Sequence, residues 1–496
     1  MDVAALVFLS SGLFLGWSLG ANDAANVFGT AVGTRMVHFT TAALICSAFV
    51  ILGAVVSGAG AAHTLGRLGA VNAMPGAFMV ALAAATTVYL MTKSGMPVST
   101  TQAIVGAIVG WNLFSGGLTD GATLTTLVAT WVLCPALAAA IAAGLYKGIT
   151  SWLHRVELHI LRQDAYTRVG LIVAGAFGAY SLGANNIANV MGVFVPVSPF
   201  TSFSVGELFT VSSAQQLFLI GAIAIAVGVF TYSKGVMMTV GRDLMPMSPV
   251  AAFVVVVSHS IVLFLFASQG LEHLLASAGL PTIPLVPVSS SQAVIGAVVG
   301  IALLRRGRGL RPRLLGGIVA GWAVTPFIAG VLCFVALFFL QNVFNQNVHR
   351  EVYYSLSTPV LERLETNGID TSKAKVLADQ GFLSARALAD ALAETGTENG
   401  AIARAFVDFA EVDYMEIDGR KIPQLSGGFL TPGQLKAVGQ LAGQSFIHRW
   451  RLDDALIELS AEWAPLPDTT INKLDNRKLD ERRRAVYNLF RVSAPQ

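Results

Sequence analysis

The chain has 496 residues, of which 54% are hydrophobic and only 12% are charged. A soluble domain carries about 25% charged residues, so this composition excludes a soluble enzyme, a disordered chain and a nucleic-acid-binding protein. It indicates a protein that crosses a lipid bilayer several times. The three cysteines, Cys46, Cys134 and Cys333, lie in apolar stretches and fit neither a disulfide framework nor a metal site.

Charge divides the chain into two parts. Residues 350–496 carry 18 of the 32 Lys and Arg residues and 21 of the 29 Asp and Glu residues. Before them, several apolar runs are long enough to cross a hydrocarbon core about 30 Å thick. The runs are 3–19, 39–61, 74–92, 122–146, 169–182, 208–230, 249–268 and 314–340. The sequence therefore predicts an all-α polytopic membrane protein with a mainly helical, soluble C-terminal domain over 350–496. Within that domain, turn-rich residues predict a hairpin around Asp418-Gly419.

Two further apolar runs, 97–113 and 287–304, are shorter and rich in Gly and Ser, which is typical of re-entrant or broken segments. At the N-terminus, Asp2 precedes the first run without any Lys or Arg. We therefore expect a permanent first span with its N-terminus outside, and not a cleaved signal peptide.

An internal repeat organises the membrane part. LGANDAAN at 19–26 returns as LGANNIAN at 182–189, and PVSTTQAIVGAIVG at 97–110 returns as PVSSSQAVIGAVVG at 287–300. A Trp-x-x-x-Pro string at Trp131 also returns at Trp322. Three strings in the same order indicate a duplication, with a first transporter repeat over 1–146 and a second over 169–343.

The charges of equivalent links indicate that the two repeats are inverted in the membrane. The link at 111–123 has no Lys or Arg, whereas its counterpart at 305–313 reads RRGRGLRPR. Short cytoplasmic loops are rich in Lys and Arg, so one link faces outward and the other inward. Residues 147–168 are also basic and predict a cytoplasmic connector. The last span then ends outside, which places the C-terminal domain on the external or periplasmic side. Inverted repeats are the architecture of secondary transporters.

The first repeated string places a carboxylate in an apolar stretch. A charge at the centre of a bilayer costs about 2.5–3.5 kcal/mol, so Asp23 is a candidate functional residue. Amide side chains surround it in the sequence and recur in the second copy, where they offer oxygen ligands to a cation. These residues are Asn22, Asn26, Asn185, Asn186 and Asn189. Nearby glycines, including Gly20 and Gly183, predict that both helices break here and free their carbonyl groups.

The second repeated string predicts an anion site. In each copy a Pro precedes three hydroxyl residues and a Gly-rich helix, which is the pattern of a capped helix N-terminus. Free N–H groups, the helix dipole and the hydroxyls together attract an anion. The residues are Ser99, Thr100, Thr101 and Gln102 in the first copy, and Ser289, Ser290, Ser291 and Gln292 in the second. His63 and His259 are expected to be satisfied polar residues and not metal ligands.

These strings, together with TYSKGVMMTVGRDLMPMSP at 231–249, resemble the motifs of the inorganic phosphate transporter (PiT) family over about residues 1–340. The resemblance implies about twelve helices with re-entrant hairpins, often in a homodimer, in the cell membrane. It implies phosphate import coupled to Na⁺ or H⁺, with no other cofactor. Phosphate would bind the two hydroxyl motifs, Gln102, Gln292, Asn26 and Asn189.

The resemblance also implies a cation site, in which Na⁺ would bind Asp23, Asn26 and Asn186, with Asn22, Asn185 and Asn189 beside it. The sequence departs from the family pattern at two places that bear on the binding sites. Asn186 stands where the family usually has Asp, and Gln102 and Gln292 stand where a His often follows the hydroxyls. A transporter of another tetrahedral oxyanion such as sulfate, and an anion channel or sensor with a regulatory tail, remain alternatives. The membrane part shows no catalytic constellation, so we do not expect an enzyme.

Overall fold

The protein is described here by a computed structural model, which covers residues 3–69, 71–93, 98–156, 159–205, 209–237, 247–307, 311–397, 400–425 and 429–492. Pro97, residues 238–246 of the 231–249 motif and residues 308–310 of the 305–313 link therefore lie outside the described residues. In the described ranges, eight helices are long and apolar enough to cross a membrane. The prediction of a helical polytopic fold is confirmed.

The first half of the membrane part consists of six helices. They are α1 (Val3–Gly33), α2 (Phe39–Ser57), α3 (Ala59–Leu68), α4 (Met74–Lys93), α5 (Thr100–Ser115) and α6 (Gly121–Val156). The short α5 begins inside the protein, because its N-cap Ser99 and the residues that follow are buried. The helix α6 runs on through the first part of the basic segment predicted as a connector.

The second half places its long helices in the same order, with an added 3₁₀ helix, an added hairpin and an added short helix. Helical residues 233–237 stand where α3 stands in the first half. Its elements are α7 (Ile160–Met191), a 3₁₀ helix (Gly192–Val197), β1 (Phe203–Val205), β2 (Phe209–Val211), α8 (Ser213–Thr231), α9 (Pro249–Ala267), α10 (Gln269–Ser277), α11 (Ser290–Leu304) and α12 (Pro312–Asn342). Like α5, the helix α11 begins at a buried N-cap, Ser289.

The main helix contacts of one half have counterparts in the other. The helix α5 packs on α12 as α11 packs on α6, and α1 packs on α8 as α7 packs on α2. Glycines make these crossings close: a Cβ atom on Gly106 would overlap the Pro326 carbonyl, and one on Gly296 would overlap the Pro135 carbonyl. Small residues allow membrane helices to approach in this way. The exchange of partners between halves fits an inverted repeat.

The expected break in the first helix of each repeat is wrong. Both α1 and α7 are continuous helices through their Asn-rich motifs. The glycines have another role, since a Cβ atom on Gly20 would overlap the Ile225 carbonyl of α8 and one on Gly183 would overlap the Val50 carbonyl of α2. The motif glycines therefore serve helix packing, and the side chains of the motif carry its polar groups.

The C-terminal part consists of two units of the same topology. In the first, β3 (Tyr353–Ser355) pairs antiparallel with β4 (Gly381–Phe382) and β5 (Glu411–Val412). In the second, β6 (Met415–Glu416) pairs with β7 (Ser445–Phe446), and Met415 also bridges to Arg491. Because β6 pairs with a distant strand, the expected hairpin at Asp418-Gly419 is wrong.

The helices of the two units follow the same order and build separate cores. The first unit contains α13 (Thr358–Thr366), α14 (Ala385–Glu394) and α15 (Gly400–Ala410), and the second contains α16 (Pro432–Gln440), α17 (Arg449–Leu459) and α18 (Lys473–Phe490). Each unit has a Thr-Pro pair at the start of its first helix, Thr358-Pro359 and Thr431-Pro432. The tail is therefore a tandem of two small α/β units.

Each tail unit docks on a different half of the membrane part. In the first unit, Arg404 pairs with Asp120 before α6 at 2.7 Å. In the second, Arg477 pairs with Glu272 of α10 at 2.7 Å, and Asn488 donates to the Pro196 carbonyl after α7. The start of α1 lies at the same end, where Phe8 contacts Phe78 near the start of α4. The N-terminal end of α1 and the tail thus share one face of the bundle.

Candidate functional site

The two Asn-rich motifs face each other inside the bundle. In α1, Asn22, Asp23 and Asn26 are all at most 8% exposed, and the matching asparagines of α7 are at most 1% exposed. Residues three and four apart lie on one face of a helix, so each motif presents its polar side chains together. Because α1 and α7 pack against each other, the two polar faces form one buried cluster.

Asp23 is the acidic centre of this cluster. Its Oδ1 accepts hydrogen bonds from Asn22 Nδ2 at 3.0 Å and Asn26 Nδ2 at 3.4 Å, and its Oδ2 accepts from Asn186 Nδ2 at 3.4 Å. Among the ion pairs of the described residues, none involves Asp23. A carboxylate buried among neutral amides is costly unless a cation or a proton neutralises it.

The two hydroxyl motifs form helix N-termini, as the sequence predicts. Ser99 Oγ accepts a hydrogen bond from the Gln102 backbone N–H, and Ser289 Oγ accepts from the Gln292 backbone N–H, both at 3.3 Å. These two hydroxyls are therefore occupied as N-caps in this conformation. The next two residues of each motif, including Thr100 and Ser290, begin the helices α5 and α11.

The two helix N-termini meet and exchange hydrogen bonds. Thr101 Oγ1 donates to the Val288 carbonyl at 3.3 Å, and Ser291 Oγ donates to the Val98 carbonyl at 2.8 Å. Val98 and Val288 occupy equivalent positions in the repeated string. The third hydroxyl of each motif thus ties its helix to the segment that leads into the other helix.

The asparagines join the hydroxyl motifs to the carboxylate. Asn26 Nδ2 donates to Ser290 Oγ at 2.9 Å, and in the other half Asn189 Nδ2 donates to Thr101 Oγ1 at 2.9 Å. Asn185 holds the segment before α11 by a pair of bonds with the Val288 backbone, at 2.7 Å and 3.1 Å. Each Asn-rich helix is therefore bonded to the hydroxyl motif of the other repeat, and α7 is also bonded to the segment before α11 in its own repeat.

Several side chains that the sequence predicts to bind ligands have a buried atom without a hydrogen-bond partner. Among the buried oxygen atoms of the described residues that have no hydrogen bond, four belong to residues predicted to bind ligands: Thr100 Oγ1, Asn189 Oδ1, Gln102 Oε1 and Gln292 Oε1. Buried polar groups are nearly always hydrogen-bonded in folded proteins, so each such atom needs an explanation. A bound ion or water would supply one, since these atoms lie in or beside the two motifs predicted to bind ligands.

Sequence reasoning missed one residue of this cluster, His259. It lies in the middle of α9, is fully buried, and has its Nε2 atom 2.9 Å from Ser290 Oγ. Its other ring nitrogen, Nδ1, has no partner among the described residues. The expectation of a satisfied polar residue therefore holds for one nitrogen only. No motif or spacing in the sequence pointed to this contact.

The site is closed in this conformation. The two cavities described in the protein, of about 280 and about 180 Å³, lie between the tail and the membrane part, and neither is lined by Asp23 or the hydroxyl motifs. The described residues also contain no group of three or more His, Cys, Asp or Glu side chains that could hold a metal ion. A cation here would depend on one carboxylate and on amide oxygens, a set of hard oxygen ligands.

Comparisons with known proteins agree with this architecture. The phosphate transporter family matches residues 19–333 and 280–378. A predicted phosphate permease from Pyrococcus abyssi is 25% identical over 408 residues, which cover 67% of this chain and 96% of that protein. Another, from Methanocaldococcus jannaschii, is 26% identical over 323 residues, covering 65% of this chain and 93% of that protein.

A solved structure described as the sodium-dependent phosphate transporter has a similar fold. It superposes with a TM-score of 0.54 at 22% identity, and the match covers 68% of this chain and 99% of that one. The family match spans more than half of the present chain and includes both Asn-rich motifs and both hydroxyl motifs. The resemblance found in the sequence is thereby confirmed, and the chain belongs to the phosphate transporter family.

Proposed function

We propose that this protein imports inorganic phosphate across the cell membrane together with Na⁺ or H⁺. The observation that carries the proposal is the meeting of two hydroxyl-capped helix N-termini beside a buried carboxylate. Family membership supports phosphate as the cargo, and the names of the relatives describe permeases and transporters, which are not enzymes.

The anion would bind between the first turns of α5 and α11. Backbone N–H groups of a first helical turn lack partners within the helix, and the helix dipole favours an anion there. Thr100 adds a hydroxyl that has no hydrogen-bond partner among the described residues. Ser290 in the other half adds a second hydroxyl, which accepts a hydrogen bond from Asn26. Neutral donors suit a carrier, because they hold an anion without the strong charge pairing that would hinder its release.

The coupling cation would bind at Asp23. The donor set comprises the Asp23 carboxylate and amide oxygens, of which Asn189 Oδ1 is buried without a partner. Such hard oxygen ligands fit Na⁺, and a single unpaired carboxylate also fits a proton. Asn22, Asn185 and Asn186 orient the cluster through their hydrogen bonds. With Asn186 in place of a second carboxylate, the site has one negative charge to attract Na⁺.

Asn26 gives a direct link between the two ligands. Its Nδ2 group donates to Asp23 Oδ1 and also to Ser290 Oγ. A cation that draws Asp23 away from Asn26 would therefore change the hydrogen bonding of Ser290 in the anion site. We propose that this shared amide carries part of the coupling between cation and phosphate.

The inverted halves provide alternating access. The helix α5 packs against α12, and α11 packs against α6. If the two halves exchanged their conformations, the closed site would open first to one face of the membrane and then to the other. The last turn of α6, with His154 and Arg155, lies at the end opposite the tail, because α6 starts beside Asp120, which pairs with Arg404 of the tail. Arg305 stands over the Tyr146 ring near this end of α6. By the positive-inside rule this supports an N-terminus and a tail outside the cytoplasm.

Uptake of labelled phosphate into proteoliposomes tests the proposal. We expect concentrative uptake that depends on a Na⁺ gradient or on a pH gradient, with little competition from sulfate. Strong competition by sulfate would identify a general oxyanion carrier. Flux only down the phosphate gradient, with measurable current, would identify a channel and contradict the proposal.

The Asp23→Asn variant tests the coupling site. It keeps the size of the side chain and removes its charge, so we expect loss of gradient-driven uptake while phosphate exchange persists. Asp164→Asn, at a half-exposed residue paired with Arg168 near the start of α7, is the matched control and should transport normally. Unchanged concentrative uptake by Asp23→Asn would remove this residue from the mechanism.

A further inference from the structure

His259 contacts the anion site from a helix that carries no recognised motif. Its Nε2 atom lies 2.9 Å from Ser290 Oγ, and the same Oγ accepts a hydrogen bond from Asn26 Nδ2 at 2.9 Å. Both His259 and Ser290 are at most 2% exposed. The Ser290 hydroxyl therefore lies between the Asn26 amide nitrogen, which can only donate, and the His259 imidazole, which can either donate or accept.

The hydroxyl of Ser290 has one hydrogen and two lone pairs. Asn26 occupies one lone pair. If Nε2 of His259 carries a hydrogen and donates, the second lone pair is also occupied, and the Ser290 hydrogen must point elsewhere. If Nε2 is the acceptor, the Ser290 hydroxyl hydrogen points at the imidazole and is not available to any other ligand. The form of His259 thus decides whether Ser290 can donate to an anion.

Nothing on the far side of the ring fixes this form. Nδ1 is buried and has no hydrogen-bond partner among the described residues. In many buried histidines a carbonyl or carboxylate at one nitrogen determines which nitrogen carries the hydrogen. Within the described part of the chain, only Ser290, and whatever Ser290 binds, distinguishes the two forms.

We infer that His259 is a positioning residue, whose Nε2–H directs the Ser290 hydroxyl hydrogen onto the transported anion. The inference rests on the proposed function, because it assigns Ser290 to the phosphate site. It adds a residue outside the repeated motifs and makes the two halves of the anion site unequal.

The first repeat has no counterpart of this histidine. When Phe78 of α4 is aligned with Phe253 of α9, Ala84 stands at the position of His259. The hydroxyl of Thr100, which is equivalent to Ser290, has no hydrogen-bond partner among the described residues. Thr100 is therefore free to turn toward an anion, whereas Ser290 is directed by its neighbours.

Three substitutions of His259 separate this role from simple packing. Gln places an amide nitrogen the same number of bonds from Cβ as the His Nε2 atom, whereas Asn places one at the position of Nδ1, and Leu offers no polar atom. We expect His259→Gln to keep the phosphate KM within about twofold of the wild-type value. We expect His259→Asn and His259→Leu to raise KM about tenfold with Vmax largely retained, since a lost hydrogen bond of this kind corresponds to such a factor.

A double-mutant cycle with Ser290→Ala tests whether the effect passes through the hydroxyl. If His259 acts by orienting Ser290, His259→Asn should add nothing to the KM of Ser290→Ala. An equal rise of KM in both backgrounds, an unchanged KM in His259→Asn, or an equal rise in the Gln and Asn variants would overturn the inference. Failure of the wild-type protein to accumulate phosphate would instead contradict the proposed function. If a variant does not fold, the remaining variants and the cycle partner Ser290→Ala still decide the question.

Discussion

Thr101 of one repeat donates a hydrogen bond to the Val288 carbonyl of the other, and Ser291 returns the same bond to the Val98 carbonyl. This reciprocal pair fixes the distance between the N-termini of α5 and α11. It also explains how two short helices can begin in the interior, where an unpaired backbone carbonyl would be costly. The third hydroxyl of each motif is therefore structural in the closed conformation. Of the second hydroxyls, Thr100 has no hydrogen-bond partner among the described residues, and Ser290 is bonded to Asn26 and His259.

Thr101 and Thr100 should respond differently to loss of the hydroxyl. We expect Thr101→Val to lower the free energy of unfolding by about 1–3 kcal/mol, because it removes two buried hydrogen bonds, one to the Val288 carbonyl and one from Asn189 Nδ2. Thr100→Val should change stability little and raise the phosphate KM. Thermal unfolding and phosphate binding in detergent measure both effects. Thr101→Ser keeps the hydroxyl and is the control; equal destabilisation by Thr101→Val and Thr101→Ser would exclude the hydrogen bond as the cause.

Gly296 should not tolerate a side chain. A Cβ atom there would overlap the Pro135 carbonyl, and since this contact is with backbone, α11 would have to move away from α6. We expect Gly296→Ala to abolish the monodisperse peak in size-exclusion chromatography or to lower its melting temperature strongly. Gly317→Ala on α12, where no atom lies within 4 Å of the added Cβ, should be neutral or slightly stabilising. A stable Gly296→Ala protein would contradict the close crossing.

The contact of Arg477 with Glu272 should hold the second tail unit on the membrane part. Both side chains are largely buried, at 19% and 6% exposure, and Arg477 makes two hydrogen bonds to the carboxylate. Removal of one partner of a buried pair costs about 3–5 kcal/mol, because the other charge stays uncompensated. We expect Arg477→Ala to increase hydrogen exchange in α10 and α18. Arg420→Ala removes a pair whose Arg side chain is 92% exposed and should leave exchange unchanged. Similar exchange in both variants would show that the pair does not secure the docking.

Asp413 should make the tail sensitive to acid. Burial acts to raise its pKa, but hydrogen bonds from Arg491 and the charges of Arg449 and Arg350 outweigh burial and lower the pKa to about 2. A carboxyl whose pKa is lower in the folded state stabilises the fold above its unfolded pKa of 3.8, and this stabilisation is lost as the pH falls toward 2. One pKa unit corresponds to about 1.4 kcal/mol, so we expect a loss of about 2 kcal/mol over this range.

Hydrogen exchange of the tail helices in the full-length protein, followed between pH 5 and pH 2.5 and corrected for the intrinsic rate, measures this acid effect. Asp413→Asn should already be destabilised at pH 5 and should show a flatter pH dependence. Asp390→Asn, at an exposed residue of α14, serves as the control and should follow the wild-type profile. A wild-type profile that is flat over this range would contradict the role of Asp413.

Asn186→Asp should strengthen the response to Na⁺. Asn186 Nδ2 lies 3.4 Å from Asp23 Oδ2, so a carboxylate at this position would stand next to Asp23. Two adjacent carboxylates cannot both stay ionised without a cation, and the pair should bind Na⁺ more tightly than Asp23 alone. We expect the Na⁺ concentration for half-maximal uptake to fall about tenfold, equivalent to about 1.4 kcal/mol. Asn186→Ala, which adds no charge, should show no such gain; an unchanged Na⁺ dependence in Asn186→Asp would speak against a cation site at Asp23.

The sequence by itself determined the membrane class, the duplication and the two repeated polar motifs that are candidates for ligand binding. Each of these rests on a local pattern: apolar runs of spanning length, strings that occur twice, and hydroxyls after a Pro before a helix. Such local patterns can be recognised without knowledge of the fold, because the physical constraint that produces them acts within a few residues. The inverted arrangement could also be read from the basic link after α11, since loop charge follows the side of the membrane.

Only the tertiary structure decided which groups meet. The bond of His259 to Ser290 joins α9 to α11 across an inserted helix, and no spacing in the sequence encodes that packing. The role of Gly20 was misjudged for the same reason, because its need for space comes from the Ile225 carbonyl of a distant helix. The two tail units went unrecognised in the sequence, although FLSARALADALAE at 382–394 matches FIHRWRLDDALIE at 446–458 at six positions. Their strand pairing showed the common topology. Contacts between distant segments depend on the packing of whole elements, and that packing is a property of the folded chain alone.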